Sequence, residues 1–436
     1  MAEPSRRPLY GFITAYLVSG VGTAMSAVAI PWLVLVTTGS AASTGIVGFA
    51  QMAPYVVLQA TAGPLVDRFG LRRSFVTGNL AAAAVMCTVP LLHATDVLSL
   101  GLLAALVMVA GAVRGVADCA TNPLVPVTAA AGDVPNERAI AMFTGANRGA
   151  MLAGMPAAGV LIAAIGPASV VLLDGISFAA AVVILVASVP ASLAATRNEG
   201  SAGSLRGYAA DLTEGFRFLG ADRLLLGIVV LVAVTNLLDE ALSSVLLPVW
   251  AHDRVHRAEA LGLVGGVLGL GMLAGVGFTA WLGPRLPRRR TFMVGLIVSA
   301  APPFYALAGW TAVPPVLLVC LVCGVAGGVL NPIIGAVEFE RIPARLQARV
   351  LGAIKASAWL GIPFGALLGG SLTQHYGLTA ALLACGSVML AATLAPLVFP
   401  AWRGIDRRQT DVVRASPDEA PETRGQVGEE AAANPR

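Results

Sequence analysis

Long apolar stretches joined by short charged connections limit what this chain can become. Thr44 to Leu65 contains no charged side chain, nor does Phe75 to Leu92, and between them sits the charged run Asp67-Arg68-Phe69-Gly70-Leu71-Arg72-Arg73. Each stretch has about the 20 residues an α-helix needs to cross a hydrocarbon layer of roughly 30 Å. The turn between them is therefore expected at a membrane surface. The pattern continues along the chain. Spans are read at Leu9 to Val36, Thr44 to Leu65, Phe75 to Leu92, Val97 to Thr121, Ala139 to Ile165 and Ala168 to Val189. A second set runs at Leu224 to Trp250, Ala260 to Leu282, Thr291 to Trp310, Val313 to Val337, Val350 to Thr373 and Leu378 to Phe399. The sequence thus predicts an all-α polytopic membrane protein of twelve transmembrane helices in two six-helix halves. Its divisions are a cytoplasmic N-terminus (1–8), a first bundle (9–189), a cytoplasmic linker (190–223), a second bundle (224–400) and a disordered cytoplasmic tail (401–436).

Composition agrees. Charged residues make up 12% of the 436, against about 25% in an ordinary globular domain, and 57% are hydrophobic. A net charge of +4 comes from arginines placed between apolar spans, so it points to membrane sorting and gives no basic face for nucleic acid. The five cysteines all fall inside spans, where a thiolate is costly, so Cys320 and Cys323 are read as packing residues. The apolar run after Arg6 and Arg7 exceeds a signal-peptide core and is read as the first span.

Arginines gather on alternate connections, at Arg6 and Arg7, at Arg68 to Arg73, at Arg138, in the linker, at Arg285 to Arg290 and at Arg341 to Arg349. This bias puts both termini in the cytoplasm of a multi-pass protein of the cell's inner (plasma) membrane. In the linker, Tyr208, Leu212, Phe216 and Leu219 recur at helical spacing, as in an amphipathic helix. The halves also echo one another. Asn122-Pro123 matches Asn331-Pro332, Val134-Pro135 matches Ile342-Pro343, and Gly154-Met155-Pro156 matches Gly361-Ile362-Pro363. Duplicated halves around a midplane site are the layout of a rocking transporter.

With these features together, the chain resembles the major facilitator superfamily. Gly63-x-Leu65-x-Asp67-Arg68-x-Gly70-x-Arg72-Arg73 is similar to that superfamily's signature between the second and third spans, departing from it at Leu71, a position that is usually basic. The corresponding turn Gly283-Pro284-Arg285-Leu286-Pro287-Arg288-Arg289-Arg290 keeps the basic cluster without the acid. Leu172-Leu173-Asp174-Gly175-Ile176-Ser177-Phe178 and Ile342-Pro343-Ala344-Arg345 resemble segments of the drug-efflux branch that includes macrolide exporters and the enterobactin exporter. Gly154-x-Pro156-x-x-Gly159 is a reduced form of the fifth-span motif of proton-coupled exporters, and Gly361 and Pro363 are its counterpart. The resemblance implies proton-driven efflux by alternating access, and a conformational gating role for Gly63, Asp67, Arg68, Gly70, Arg72 and Arg73.

Ionisable side chains within spans are functional candidates, because each costs about 2.5–3.5 kcal/mol at a helix centre. Arg114 and Asp118 lie at i and i+4 and can pair, as a proton-coupling carboxylate with its arginine or as a structural ion pair. Asp239 and Glu240 interrupt the seventh span, one turn past Asn236. Adjacent residues point about 100° apart, so at most one faces a central cavity squarely. Arg148 and Lys355, the sole lysine, fall at matching places, where they can pair with Asp118 and Glu338 or snorkel to the surface. Asp174 is read as capping or pairing locally, early in the sixth span near its outer end. Cavity-lining candidates are Met25, Trp32, Gln51, Tyr55, Gln59, Asn236 and Trp359, a mixture suited to amphipathic ligands.

No catalytic constellation, phosphate-cradling loop, metal cluster or cofactor is expected. The expected function is a monomeric secondary transporter that moves a small molecule against protons across a lipid bilayer. Two alternatives remain at this stage: metabolite uptake by facilitation or symport, and a non-transporting scaffold or sensor.

Overall fold

The computed structural model describes residues 5–191, 193, 205–282, 285 and 287–406. They are helical throughout, with twelve helices long and apolar enough to cross a membrane. The first six are Arg7–Thr38, Ala41–Thr61, Leu71–Ala94, Leu100–Ala130, Asn136–Ile165 and Pro167–Ser188. The second six are Arg223–Val255, Glu259–Leu282, Arg288–Gly309, Val313–Arg341, Arg349–Tyr376 and Leu378–Val398. Within the first half, the first span packs on the fifth and sixth, the second on the fourth, and the third on the fourth and sixth. The second half repeats this with the seventh span on the eleventh, the eighth on the tenth, and the ninth on the tenth and twelfth.

The halves meet along two seams, the second span against the eleventh and the fifth against the eighth. Both seams are tightest at the end of the bundle away from the termini, called here the far side. There Gly45 and Gly370 bring backbones together: a Cβ on Gly45 would lie 2.5 Å from the Ala366 carbonyl, and one on Gly370 2.7 Å from that of Ala41. Gly159 abuts Glu259, and Gly262 and Gly266 take up Pro156, in the same way. Ser40 adds a hydrogen bond to Gln374 at 3.3 Å. Nearer the termini, Leu152 still meets Gly269, whereas a Cβ on Gly145 or Gly277 would meet nothing within 4 Å. The closest glycine-mediated backbone approaches between the halves thus lie at the far side.

Several elements differ from the sequence expectation. The second span stops at Thr61, and the charged turn is a short helix, Gly63–Phe69, ended by Gly70 at φ +86°, a backbone conformation that suits glycine. The fourth span runs on to Ala130 through Pro123 and Pro126. The seventh contains two π-helical stretches, Leu242–Leu246 and Ala251–Val255, flanking Leu247–Trp250 with its Pro248. Residues after the twelfth span were assigned to the tail, yet Pro400–Asp406 folds as a 3-10 helix. It buries Trp402 against Phe292, with ring centroids 5.8 Å apart, and Asp406 accepts a hydrogen bond from the Arg289 amide at 3.1 Å. This segment staples the twelfth span to the start of the ninth.

The linker helix Leu205–Ala221 rests on the start of the eleventh span, where Gly215 meets the Arg349 carbonyl and Glu214 pairs with Arg349. Leu219 is buried and Phe216 exposed. Arg197 and Glu199 of the linker, Gly283, Pro284 and Leu286 of the second turn, and residues 407–436 lie outside the described residues.

Candidate functional site

Between the halves, the seventh span presents its acidic pair in two different settings. Asp239 is exposed although it lies midway along the span. It makes no hydrogen bond or ion pair among the described residues. Glu240 is turned toward the eleventh span, its Cβ against Gly365, and accepts a hydrogen bond from Ser244 within the first π-helical stretch. Asn236 donates to the Ala358 carbonyl at 2.9 Å and so ties the seventh span to the eleventh. π-helical turns widen the helix and displace the residues beyond them, and they recur at functional positions. Here they begin two residues after Glu240.

The first half carries a connected polar cluster. Arg114 pairs with Asp118 at 3.2 Å and donates to Asn79 Oδ1 at 3.1 Å, while Asn79 in turn donates to the Phe75 carbonyl at 2.8 Å. Tyr55 donates to Asp118 at 3.1 Å. Small residues permit this contact: Gly111 and Gly115 let the backbone at Gln51 and Tyr55 lie directly on the fourth span. The Arg114 guanidinium lies 4.7 Å from the Phe178 ring centroid on the sixth span. Asp174, expected to cap or pair locally near the outer end, is only 2% exposed and faces the first span at Gly22. Ser177 bonds it locally, donating to the Asp174 carbonyl at 2.8 Å.

The remaining candidates sort by position. Met25 and Trp32 are buried in the apolar core; Trp32 sits edge-on to His252 of the other half at 5.5 Å and lines a pocket with Val36, Asp253 and His256 at the far side. Gln51 and Gln59 are half-buried, and Gln59 Oε1 has no hydrogen-bond partner. Lys355 is exposed and lies 4.8 Å from the Trp359 ring centroid, a cation–π contact, and makes no ion pair with Asp118 or Glu338 among the described residues. Arg148 and Glu338 make no ion pair among the described residues; Glu340 instead takes both contacts from Arg288 at 2.8 Å. Gly154 packs on Val21 of the first span, Pro156 and Gly159 form the seam with the eighth, and Gly361 and Gly365 fit the eleventh span to the seventh, where Pro363 is buried.

In the charged turn, Arg72 donates to the Val189 carbonyl at 2.8 Å and to that of Val186 at 3.4 Å, capping the end of the sixth span. Arg68 and Arg73 are exposed. Asp67 is exposed and has no hydrogen bond or ion pair among the described residues.

A fold of two six-helix halves with charged turns invites comparison with known transporters. The Major Facilitator Superfamily pattern matches residues 12–253 and 229–433. The chain belongs to that superfamily. Within the Major Facilitator Superfamily, it is 27% identical over 423 residues to the multidrug efflux pump Tap of Mycobacterium tuberculosis, covering 95% of this chain and 99% of the relative. It is also 27% identical over 414 residues to Tap of Mycolicibacterium fortuitum, covering 93% and 99%. Among solved structures, a variant of the nucleoside transporter NupG superposes with a TM-score of 0.73 at 10% identity, covering 89% of this chain and 98% of that one. An inward-facing bacterial homologue of the lysosomal transporter Spinster gives 0.64 at 13%, covering 96% and 100%. These two structures establish the shared fold. The chain is therefore a secondary transporter of small molecules, not an enzyme, and a distant relative of Tap.

Proposed function

We propose that the protein is a proton-coupled exporter of amphipathic small molecules, in the drug-efflux branch of the superfamily, working by alternating access. The arginine-rich terminal side is cytoplasmic on this reading, so the closest approaches between the halves lie at the outer face, as in a state that loads from the cell. Near full-length similarity to pumps named for multidrug efflux supports the direction. The observation that carries the coupling is Asp239, an exposed carboxylate midway along the seventh span, beside Glu240 and with no ion pair among the described residues. Desolvated carboxylates close together cannot both stay charged cheaply, so proton occupancy and cavity exposure are linked. A cationic or polarised substrate entering the cavity would compete with a proton for the same carboxylate. Coupling follows when the two occupants favour opposite conformations.

Cells making the protein should accumulate less of a fluorescent lipophilic cation such as ethidium than cells without it, with the difference abolished by a protonophore. Greater accumulation would instead indicate uptake. Asp239→Asn should remove at least about tenfold of the efflux rate, corresponding to ~1.4 kcal/mol at the rate-limiting step, without lowering the amount of protein in the membrane.

A further inference from the structure

The far-side end of the seventh span is built in a way that export through the centre does not use. After Trp250 the helix widens into the π-helical stretch Ala251–Val255 and stops at His256, whose backbone is left-handed at φ +57°. Two side chains pin this end to its neighbours. Trp250 donates to the Trp310 carbonyl at 2.9 Å, and Arg254 donates to the carbonyls of Leu307 and Ala308 at 3.1 and 3.0 Å and to the Thr379 hydroxyl. His252, Asp253 and His256 then face Trp32 and Val36 of the first span across a cavity of about 490 Å³. Its floor is the buried Trp32, and its rim is the exposed Val36, Asp253 and His256. His252 stands between floor and rim, 5.5 Å from the Trp32 ring centroid and 2.6 Å from the Asp253 carboxylate through Nδ1.

The volume falls in the range of about 300–1,000 Å³ usual for small-molecule sites. The lining has one carboxylate and neither lysine nor arginine. Arg254, next in sequence to Asp253, has its guanidinium committed to the end of the ninth span and to Thr379, so a small anion finds no permanent cation here. Nor does a metal ion find its ligands, because among the described residues no three His, Cys, Asp or Glu side chains are placed to hold one. A cation with an apolar body fits: Asp253 answers its charge, while the indole and imidazole rings and Val36 cover its body. We propose that this cavity is a binding site for an organic cation of the aryl-alkyl ammonium class, and that its occupant locks the two halves together at the far side. Trp32 and Val36 belong to the first half and the other three lining residues to the second. A ligand that touches both groups binds best when they are adjacent, so it favours this conformation over one in which the first and seventh spans part. Neither Asp239 nor Glu240 lines the cavity, so the inference goes beyond proton-coupled export and does not require it.

The test is a titration of benzyltrimethylammonium against the full-length protein in nanodiscs of zwitterionic lipid at pH 8, followed by ligand-detected NMR with empty nanodiscs subtracted. The wild type should bind it saturably, with a dissociation constant of about 1 mM or tighter, as a ligand of this size can reach. Benzenesulfonate, the same ring with the opposite charge, should not bind. Asp253→Asn, at an exposed position, should weaken binding about fivefold, the size expected of a partly exposed charge pair. Trp32→Leu, from the opposite half, should weaken it at least about threefold; should that variant fail to insert, Asp253→Asn decides. No saturable binding by the wild type, equal binding of benzenesulfonate, or an Asp253→Asn that binds as the wild type does would overturn the inference. Loss of binding in Asp239→Asn would also overturn it, by moving the ligand to the acidic pair. A folded Trp32→Leu with wild-type affinity would confine the ligand to the seventh span and overturn the lock.

Discussion

Arg114 is the residue on which the first half's buried polarity depends. It holds Asp118 and Asn79 and lies on Phe178. Replacing it by alanine leaves Asp118, whose side chain is only 15% exposed, without its cation, so Arg114→Ala should destabilise the first half by about 3–5 kcal/mol, read as a fall in the thermal unfolding midpoint of the detergent-purified protein. Arg114→Lys keeps the charge but not the forked geometry that reaches Asn79 and Asp118 together, and should recover only part of that loss. The pairing of Arg114 with Asp118 is legible in the sequence as an i, i+4 spacing. The place of Asp174 is not, because it depends on where the first and sixth spans cross. What could have revealed it is small-residue spacing, with Gly22 and Ser26 four apart on one helix and Asp174 and Ser177 three apart on another. The burial of Met25 and Trp32 was equally hidden, since residue type alone does not say which side of a helix meets the opposite half.

At the scale of elements, hydropathy located every span because an uncharged stretch of membrane length has few other uses. It misjudged several ends, since helices continue past the hydrocarbon layer as long as their backbone hydrogen bonds are made, as in the fourth span to Ala130 and the tenth to Arg341. The π-helical stretches of the seventh span left no readable signal beyond Pro248, because they follow from its fit to its neighbours. The Pro400–Asp406 staple was missed because its polar composition resembles the tail that follows it. Trp402→Ala should release it, at a cost of about 3–5 kcal/mol, and raise hydrogen exchange at the amides opening the ninth span, including Arg289. The far-side seams make a complementary prediction. Gly45→Leu or Gly370→Leu places a side chain where backbones now touch, and should shift spin-label distances across the second and eleventh spans toward far-side opening. Asp67 has no hydrogen bond or ion pair among the described residues, so Asp67→Asn should leave this conformation intact while weakening any competing state in which Asp67 is paired. The fraction of this conformation would then rise, and an unchanged distribution would reduce Asp67 to a surface anchor.

For the molecule as a whole, duplication supplies two similar halves, while charge makes them unlike. The first half holds a cluster with its own arginine, and the second an acidic pair with none beside it. Asp239 is exposed while Glu240 packs on the eleventh span, so on the proposed reading rocking the halves would change what the pair can exchange with. Proton movement driven by substrate is the consequence most specific to this account. The protein can be reconstituted in liposomes loaded with a pH-sensitive dye, ethidium added on one side, and the internal pH followed with no gradient imposed beforehand. The wild type should move protons opposite to the substrate, and the Asp239→Asn/Glu240→Gln double variant should move none. Substrate entry at the wild-type rate with no change in internal pH would contradict proton-coupled export.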